Sequence, residues 1–341
     1  MQWKMARQGR LAARINTWAI DRGFPAAAWL APRAPRRLLF ALARLIIAVV
    51  MTLHHRPKRA IAANLARILG ADPGSRRVRR ATREMLRHFA YYWTDLFRFA
   101  QLPSEAARRL IVRDEGSERV DRLHAAGRPI LLLTAHLGNW ELGGVLLAHK
   151  RLPVSIVYVK DAFEGAERFR SQLRTQGGVQ QVPIRPDDPF ASLPVLRALR
   201  EGRLVALQGD RDFDDHGLEV EFFGTPVRFP PGPFHLARMT GAAVLPTFVV
   251  YSPDYRFEIE FGEPIEVARE GDRDTAVRAA LGEWVRVLER AVRAHPTQWY
   301  TFYDFWHPPA TKAPGSDRAG AVPAPAGSSP AAAASGPGGT R

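Results

Sequence analysis

Residues 129–144 read PILLLTAHLGNWELGG. The run ILLLT (130–134) is short, continuous and apolar, and it follows a proline, which is the pattern of a strand buried on both faces of a parallel sheet. Just beyond it stands His136, and five residues later Glu141. On one continuous helix that step would leave the two side chains about 140° apart. If His136 instead lies in a strand-to-helix turn, with Gly138 supplying backbone freedom and Asn139 capping a helix that starts at Trp140, then Glu141 falls in the first helical turn and can point back at the imidazole. The carboxylate would hold one ring nitrogen and leave the other as a general base, at the carboxyl edge where open α/β sheets place their ligands. The alternative is a turn histidine and a glutamate that only complements the helix dipole.

Working outward, VSIVYV (154–159), LVALQ (204–208), AVLPTFVVY (243–251) and FEIEF (257–261) read as further strands. FEGAERFRSQLRTQG (163–177), ASLPVLRALREG (191–202), GPFHLARMTG (232–241) and RDTAVRAALGEWVRVLERAVRA (273–294) read as helices. This alternation predicts an α/β fold over residues 101–307, with a largely parallel central sheet flanked by helices. Phe222, Phe223 and Gly224 read as a packed strand end and turn. The aromatic run from Trp299 to Trp306 reads as a packing anchor or a membrane-proximal patch. Residues 308–341 are almost entirely Pro, Ala, Gly and Ser, too poor in large apolar groups to offset ordering entropy, and are expected to be disordered.

The 341 residues are 46% hydrophobic, enough for a substantial core, and contain no cysteine, which excludes disulfides, thiolate nucleophiles and cysteine metal sites. The net charge of +15 is concentrated at one end: residues 1–90 hold 19 Lys and Arg against Asp21, Asp72 and Glu84. Residues 1–100 therefore read as a basic helical region, with RRVRRATREMLRHFAYYWTDLFRF (76–99) as an amphipathic helix having one strongly basic end. Charge of this kind suits anionic lipid, nucleic acid or an acidic protein. The apolar run 38–53 discriminates among them, because Arg33, Arg36 and Arg37 precede it and Arg56, Lys58 and Arg59 follow it. At 16 residues interrupted by Arg44, it is shorter than the roughly 20 that a spanning helix needs. A shallow or interfacial helix at an anionic membrane surface fits better, with a plain core helix as the alternative. A basic nucleic-acid-binding protein is the reading from another class, but no RNA-recognition, helix-turn-helix or zinc-ligand pattern stands out. A zinc hydrolase built on His136 and Glu141 lacks a second histidine four residues on.

The blocks HLGNWE (136–141), LRTQGG (173–178), GDRDFDDHG (209–217), VEFFGTPVRFPPGPFHLAR (220–238) and PTQWYTFYDFW (296–306) follow one another in an order and spacing that resemble the bacterial lipid A biosynthesis lauroyl/myristoyl acyltransferases. These form a branch of the HxxxxD/E glycerolipid acyltransferase superfamily, and the resemblance covers most of residues 10–307. It implies transfer of a fatty acyl chain from an acyl-carrier-protein thioester to a hydroxyl of a membrane glycolipid such as a lipid A precursor. It further implies no covalent acyl-enzyme, no cofactor or metal, no nucleic-acid partner, and a place on the cytoplasmic face of the bacterial inner membrane. In that mechanism His136 removes the acceptor proton and Glu141 orients and stabilises the imidazolium. Asn139, Arg174, Asp210 and Asp212 become the substrate-binding candidates. Arg174 matches a family arginine near the active site, where it can stabilise an oxyanion or hold a phosphate, the alternative being a helix-surface arginine. Asp210 and Asp212 match a D-x-D element that can position the acceptor or a cation, although an aspartate after a strand is also a common loop and capping residue. The closing YTFYDFW also resembles subgroups acting on other glycolipids or amino-acid lipids.

Overall fold

The computed structural model describes residues 23, 26–53, 55–99, 104–149, 151–160, 164–185, 188, 190–212 and 216–307. The expectation of a disordered tail at 308–341 lies outside them. In chain order the first elements are α1 (Arg36–Leu53), α2 (His55–Leu69), α3 (Arg76–Phe99), α4 (Ser104–Arg108), β1 (Ile111–Glu115), α5 (Ser117–Ala125), β2 (Ile130–Thr134), α6 (Trp140–His149) and β3 (Val154–Val159). Then come α7 (Glu164–Gln176), β4 (Gln180–Ile184), α8 (Leu193–Arg200), β5 (Leu204–Gln208), β6 (Leu218–Phe222), β7 (Thr225–Phe229), α9 (Gly232–Thr240), β8 (Ala243–Tyr251), β9 (Phe257–Phe261) and α10 (Arg273–Ala294).

The main sheet has seven strands in the order β1-β9-β8-β2-β5-β3-β4. The five runs legible as strands are the five inner positions. The two edges, β1 and β4, have sequences IVRDE and QQVPI, too polar to stand out from loop. β8, β2, β5, β3 and β4 run parallel, which requires the helical crossovers between them. β9 is antiparallel to β8, as the short connection from Tyr251 to Phe257 dictates, and β1 runs parallel to β9. β6 and β7 form a separate hairpin whose turn residues Phe223 and Gly224 both have positive φ (51° and 71°), the geometry that two-residue hairpins favour.

Alternation along β2 divides the core between two faces. Ile130 and Leu132 join a cluster with residues of α3, α6 and α7, whereas Leu131 and Leu133 join one with residues of α8, α9 and α10. The first cluster includes Phe89, Tyr92 and Leu96 of α3, so the basic N-terminal region packs on the sheet through its apolar face. Helix α1 lies outermost. Phe40 stacks on Tyr91 at 3.7 Å, while Leu38, Leu42, Leu45, Ile46 and Val49 remain exposed. Among the described residues no helix is long and apolar enough to cross a membrane. Trp299, Tyr300, Phe302, Phe305 and Trp306 are all buried, so of the two readings of that aromatic run the structure shows the packing anchor.

Candidate active site

The parallel pairing of β2 with β5 builds the site. Thr134 and Gln208 are register partners at the carboxyl ends of neighbouring strands, and Gly209 N–H donates to the Thr134 carbonyl at 2.8 Å. Two residues beyond each strand end stand His136 and Asp210. The His136 backbone N–H donates to Asp210 Oδ2 at 3.1 Å, and its ring Nδ1 lies 2.8 Å from Oδ1. Trp299 Nε1 donates to the same carboxylate at 3.0 Å. The aspartate is wholly buried and the imidazole 16% exposed.

The turn between β2 and α6 is clamped from three sides. Gly138 N–H donates to the Gln298 carbonyl (2.9 Å), Asn139 N–H to the Val249 carbonyl (2.7 Å), and Tyr300 N–H to the His136 carbonyl (2.9 Å). Gly138 has φ 65°, and a Cβ there would stand 2.0 Å from the Val249 carbonyl oxygen, so only glycine satisfies both the backbone angle and the close approach.

Burial first, and then the charge of Arg211, push the His136 imidazole down to about 4, so the ring is neutral near pH 7. Burial pushes Asp210 up, but His136, Arg211 and the Trp299 N–H outweigh it and hold the carboxyl below the usual carboxylate range. An ionised Asp210 accepts from Nδ1–H, which assigns the proton to Nδ1 and leaves the Nε2 lone pair as the free base.

Helix α6 starts at Trp140 as the sequence predicts, and Glu141 lies in its first turn. The carboxylate does not turn back to the imidazole, however. It accepts a bidentate fork from Arg174, with Nε at 3.1 Å and Nη2 at 2.6 Å, and Arg170 Nε lies 3.9 Å away. The expected Glu141–His136 pairing is therefore replaced by two pairings, His136 with Asp210 and Glu141 with Arg174. The reason is electrostatic: two guanidinium groups one helical turn apart on α7 attract a buried carboxylate more strongly than a neutral ring whose Nδ1 is already taken. Burial raises the Glu141 carboxyl, but Arg174 and then Arg170 more than offset this and lower it. Arg174 itself is 3% exposed and lies over the Tyr158 ring at 4.0 Å, so it is no surface arginine.

Asn139 precedes α6 as a cap would, yet neither its side-chain oxygen nor its nitrogen has a partner among the described residues, and the residue is fully buried. The helix-start bond runs instead from Leu142 N–H to the Asn139 backbone carbonyl. Asp212 Oδ2 accepts the Gly217 N–H at 2.9 Å within its own loop. Arg170 and Gln298 were not singled out from the sequence, Trp299 stood out only as part of an aromatic run, and Arg211 only as the residue inside the D-x-D element. Arg170 carried a signal of its own, since it stands four residues before Arg174 on one helix face. Trp140 packs beside the pair, with its ring centroid 5.1 Å from the His136 ring and 4.7 Å from that of Tyr92, on which it stacks.

The sequence model of one family, described as bacterial lipid A biosynthesis acyltransferase, matches residues 8–307. The chain belongs to that family. It is therefore an acyltransferase, and the buried polar site at the sheet edge lies within the matched region. Curated relatives agree. A phosphatidylinositol mannoside acyltransferase of Mycobacterium tuberculosis is 29% identical over 285 residues, covering 82% of this chain and 87% of that protein. Its counterpart in Mycolicibacterium smegmatis is 28% identical over 253 residues, covering 71% and 77%. A lipid A biosynthesis acyltransferase of Haemophilus influenzae is 24% identical over 216 residues, covering 62% of this chain and 64% of that protein.

Proposed function

We propose that this acyltransferase moves a fatty acyl chain from an acyl-carrier-protein thioester to a sugar hydroxyl of a membrane glycolipid, at the cytoplasmic face of the bacterial inner membrane. The observation that carries the mechanism is the neutral His136 ring held at Nδ1 by Asp210. His136 Nε2 accepts the proton of the acceptor hydroxyl as its oxygen attacks the thioester carbonyl. Asp210 stabilises the imidazolium that forms. When the tetrahedral intermediate collapses, the carbon–sulfur bond breaks and the thiolate takes the proton back from Nε2. Arg174 keeps Nη1 without a partner among the described residues, which makes it available to the developing oxyanion or to a substrate phosphate. Glu141 then acts by fixing Arg174 rather than His136.

Helix α1 supports the membrane part of the reading. Leu38, Leu42, Leu45, Ile46 and Val49 are exposed and share one side of the helix, with exposed Arg37 and Arg44 beside them. An apolar row with cations at its flanks suits a helix lying in the headgroup plane. The names of the relatives favour a glycolipid acceptor of the mannosylated phosphoinositol or lipid A type.

The deciding experiment incubates the full chain with acyl-carrier-protein or coenzyme A thioesters and with vesicles carrying either glycolipid, and detects a one-acyl mass increase. Transfer that needs His136 supports the proposal. Full activity in a folded His136→Ala protein sinks the mechanism, and transfer only from coenzyme A sinks the donor assignment.

A further inference from the structure

Besides the apolar contacts of Leu39 and Phe40, helix α1 is tied to the body of the protein by a charged side chain at its start. Arg36 donates through Nε to Asp95 Oδ1 at 2.9 Å and through Nη2 to Asp95 Oδ2 at 2.6 Å, and also reaches the Tyr255 carbonyl at 2.6 Å. Asp95, on α3, is 1% exposed, and its Oδ2 takes a further bond from the Tyr251 hydroxyl at 2.9 Å. Tyr251 ends β8, and the Gln298 side-chain amide grips its backbone at both N–H (2.7 Å) and C=O (2.9 Å). The Gln298 carbonyl in turn accepts Gly138 N–H in the turn that carries His136.

These bonds form one unbroken run from the outermost helix to the site, and every member after Arg36 is buried. Buried polar groups have no water to fall back on, so each must follow its partner or be left unsatisfied. The first link is the most demanding. If α1 shifts on α3 and withdraws Arg36, Asp95 becomes a buried carboxylate without its bonded cation, with only the charge of Arg98 remaining, and must take up a proton or draw the Tyr251 hydroxyl closer. Either response alters the bond from Tyr251, loosening it or tightening it, at the end of β8 that Gln298 ties to the catalytic turn.

We propose that Asp95 is a positioning residue that couples the seating of α1 on α3 to the geometry of the His136 turn, with Tyr251 and Gln298 as the connecting links. The catalytic consequence rests on His136 being the base. Lipid contact that presses α1 onto α3 thereby favours the competent turn, and the enzyme is most active where its acceptor resides.

Tyr251→Phe tests this with the least disturbance, because it removes only the hydroxyl and leaves a ring that packs 5.0 Å from Phe257. Two quantities are measured on the full chain. One is kcat and KM for transfer from an acyl-carrier-protein thioester to a mannosylated phosphoinositol lipid in vesicles. The other is the Nδ1–H resonance of His136 in 15N-histidine-labelled protein, assigned by its loss in His136→Gln. The coupling predicts a fall in kcat of about two- to thirty-fold, with KM nearly unchanged and a displaced His136 resonance. Arg36→Gln should do the same, Arg36→Lys should recover part of the loss, and the Arg36→Gln/Tyr251→Phe double variant should be no worse than the poorer single one. An unmoved resonance in folded Tyr251→Phe overturns the coupling, as do losses that multiply in the double variant. If His136→Gln retains normal transfer, the base assignment falls by itself. The resonance still judges the coupling, since it reads the turn whatever His136 does.

Discussion

His136 and Asp210 stand 74 positions apart in the chain and 2.8 Å apart in space, joined because β2 and β5 are parallel neighbours that end at the same level. Asp210→Asn should therefore be far more damaging than its size suggests, since an amide that donates to Nδ1 drives the ring proton to Nε2 and removes the base. Loss of kcat by about 10²- to 10⁴-fold is expected, with circular dichroism unchanged. Near-normal transfer would show that Asp210 does not set the tautomer.

Glu141 and Arg174 are 2% and 3% exposed and pair bidentately, so their first contribution is to the fold. Glu141→Leu should leave a buried guanidinium uncompensated and cost about 3–5 kcal/mol, whereas the double variant with Arg174→Leu should regain much of that stability. Glu141→Gln, which still accepts from Arg174, should lose less activity than Asp210→Asn. Urea midpoints and kcat measured on the same preparations separate the two effects.

A largely buried imidazole pushed down to about 4 fixes the acid limb of activity. The profile of kcat/KM against pH should stay level from neutrality to well below the ordinary imidazole range and fall only as His136 protonates. Stability follows the same sign. The folded state resists the proton that the unfolded histidine accepts near 6.5, so the contribution is complete above that pH and lost as pH falls towards 4, by about 3 kcal/mol in all. An acid limb at or above 6.5 would contradict this assignment.

Two glycines with similar φ should respond differently. At Gly138 (φ 65°) an added Cβ meets the Val249 carbonyl at 2.0 Å, whereas at Gly224 (φ 71°) it meets nothing within 4 Å. Gly224→Ala should cost only the left-handed backbone penalty of about 1–2 kcal/mol and keep transfer. Gly138→Ala should displace the turn and abolish transfer even where the protein remains folded, as assays beside thermal melts will show.

The exposed side of α1 can be tested without removing the helix, whose loss would strand Asp95. Leu38 and Leu45 are 61% and 62% exposed. Burying each in lipid would contribute about 1.5–3 kcal/mol, so Leu38→Glu/Leu45→Glu should weaken sedimentation with anionic vesicles at least about tenfold and leave slow thioester hydrolysis intact. Unchanged vesicle binding would place membrane contact elsewhere.

The sequence by itself determined the inner sheet and the position of the histidine. Runs such as ILLLT and AVLPTFVVY are apolar at all but one position each because both faces of those strands are buried, and that property is local. The edge strands IVRDE and QQVPI escaped because one side of an edge needs no neighbour, so nothing forces their composition. Asn139, Arg174 and Asp210 were all legible as candidates from the blocks that carry them. What they touch was not, because partners in a parallel sheet are set by strand order and register over long separations, and neither is written in the spacing of residues within one block. Only the tertiary structure decided that the imidazole belongs to Asp210 and the glutamate to Arg174: β5 lies beside β2, and the inner face of α7 presents two cations to the first turn of α6.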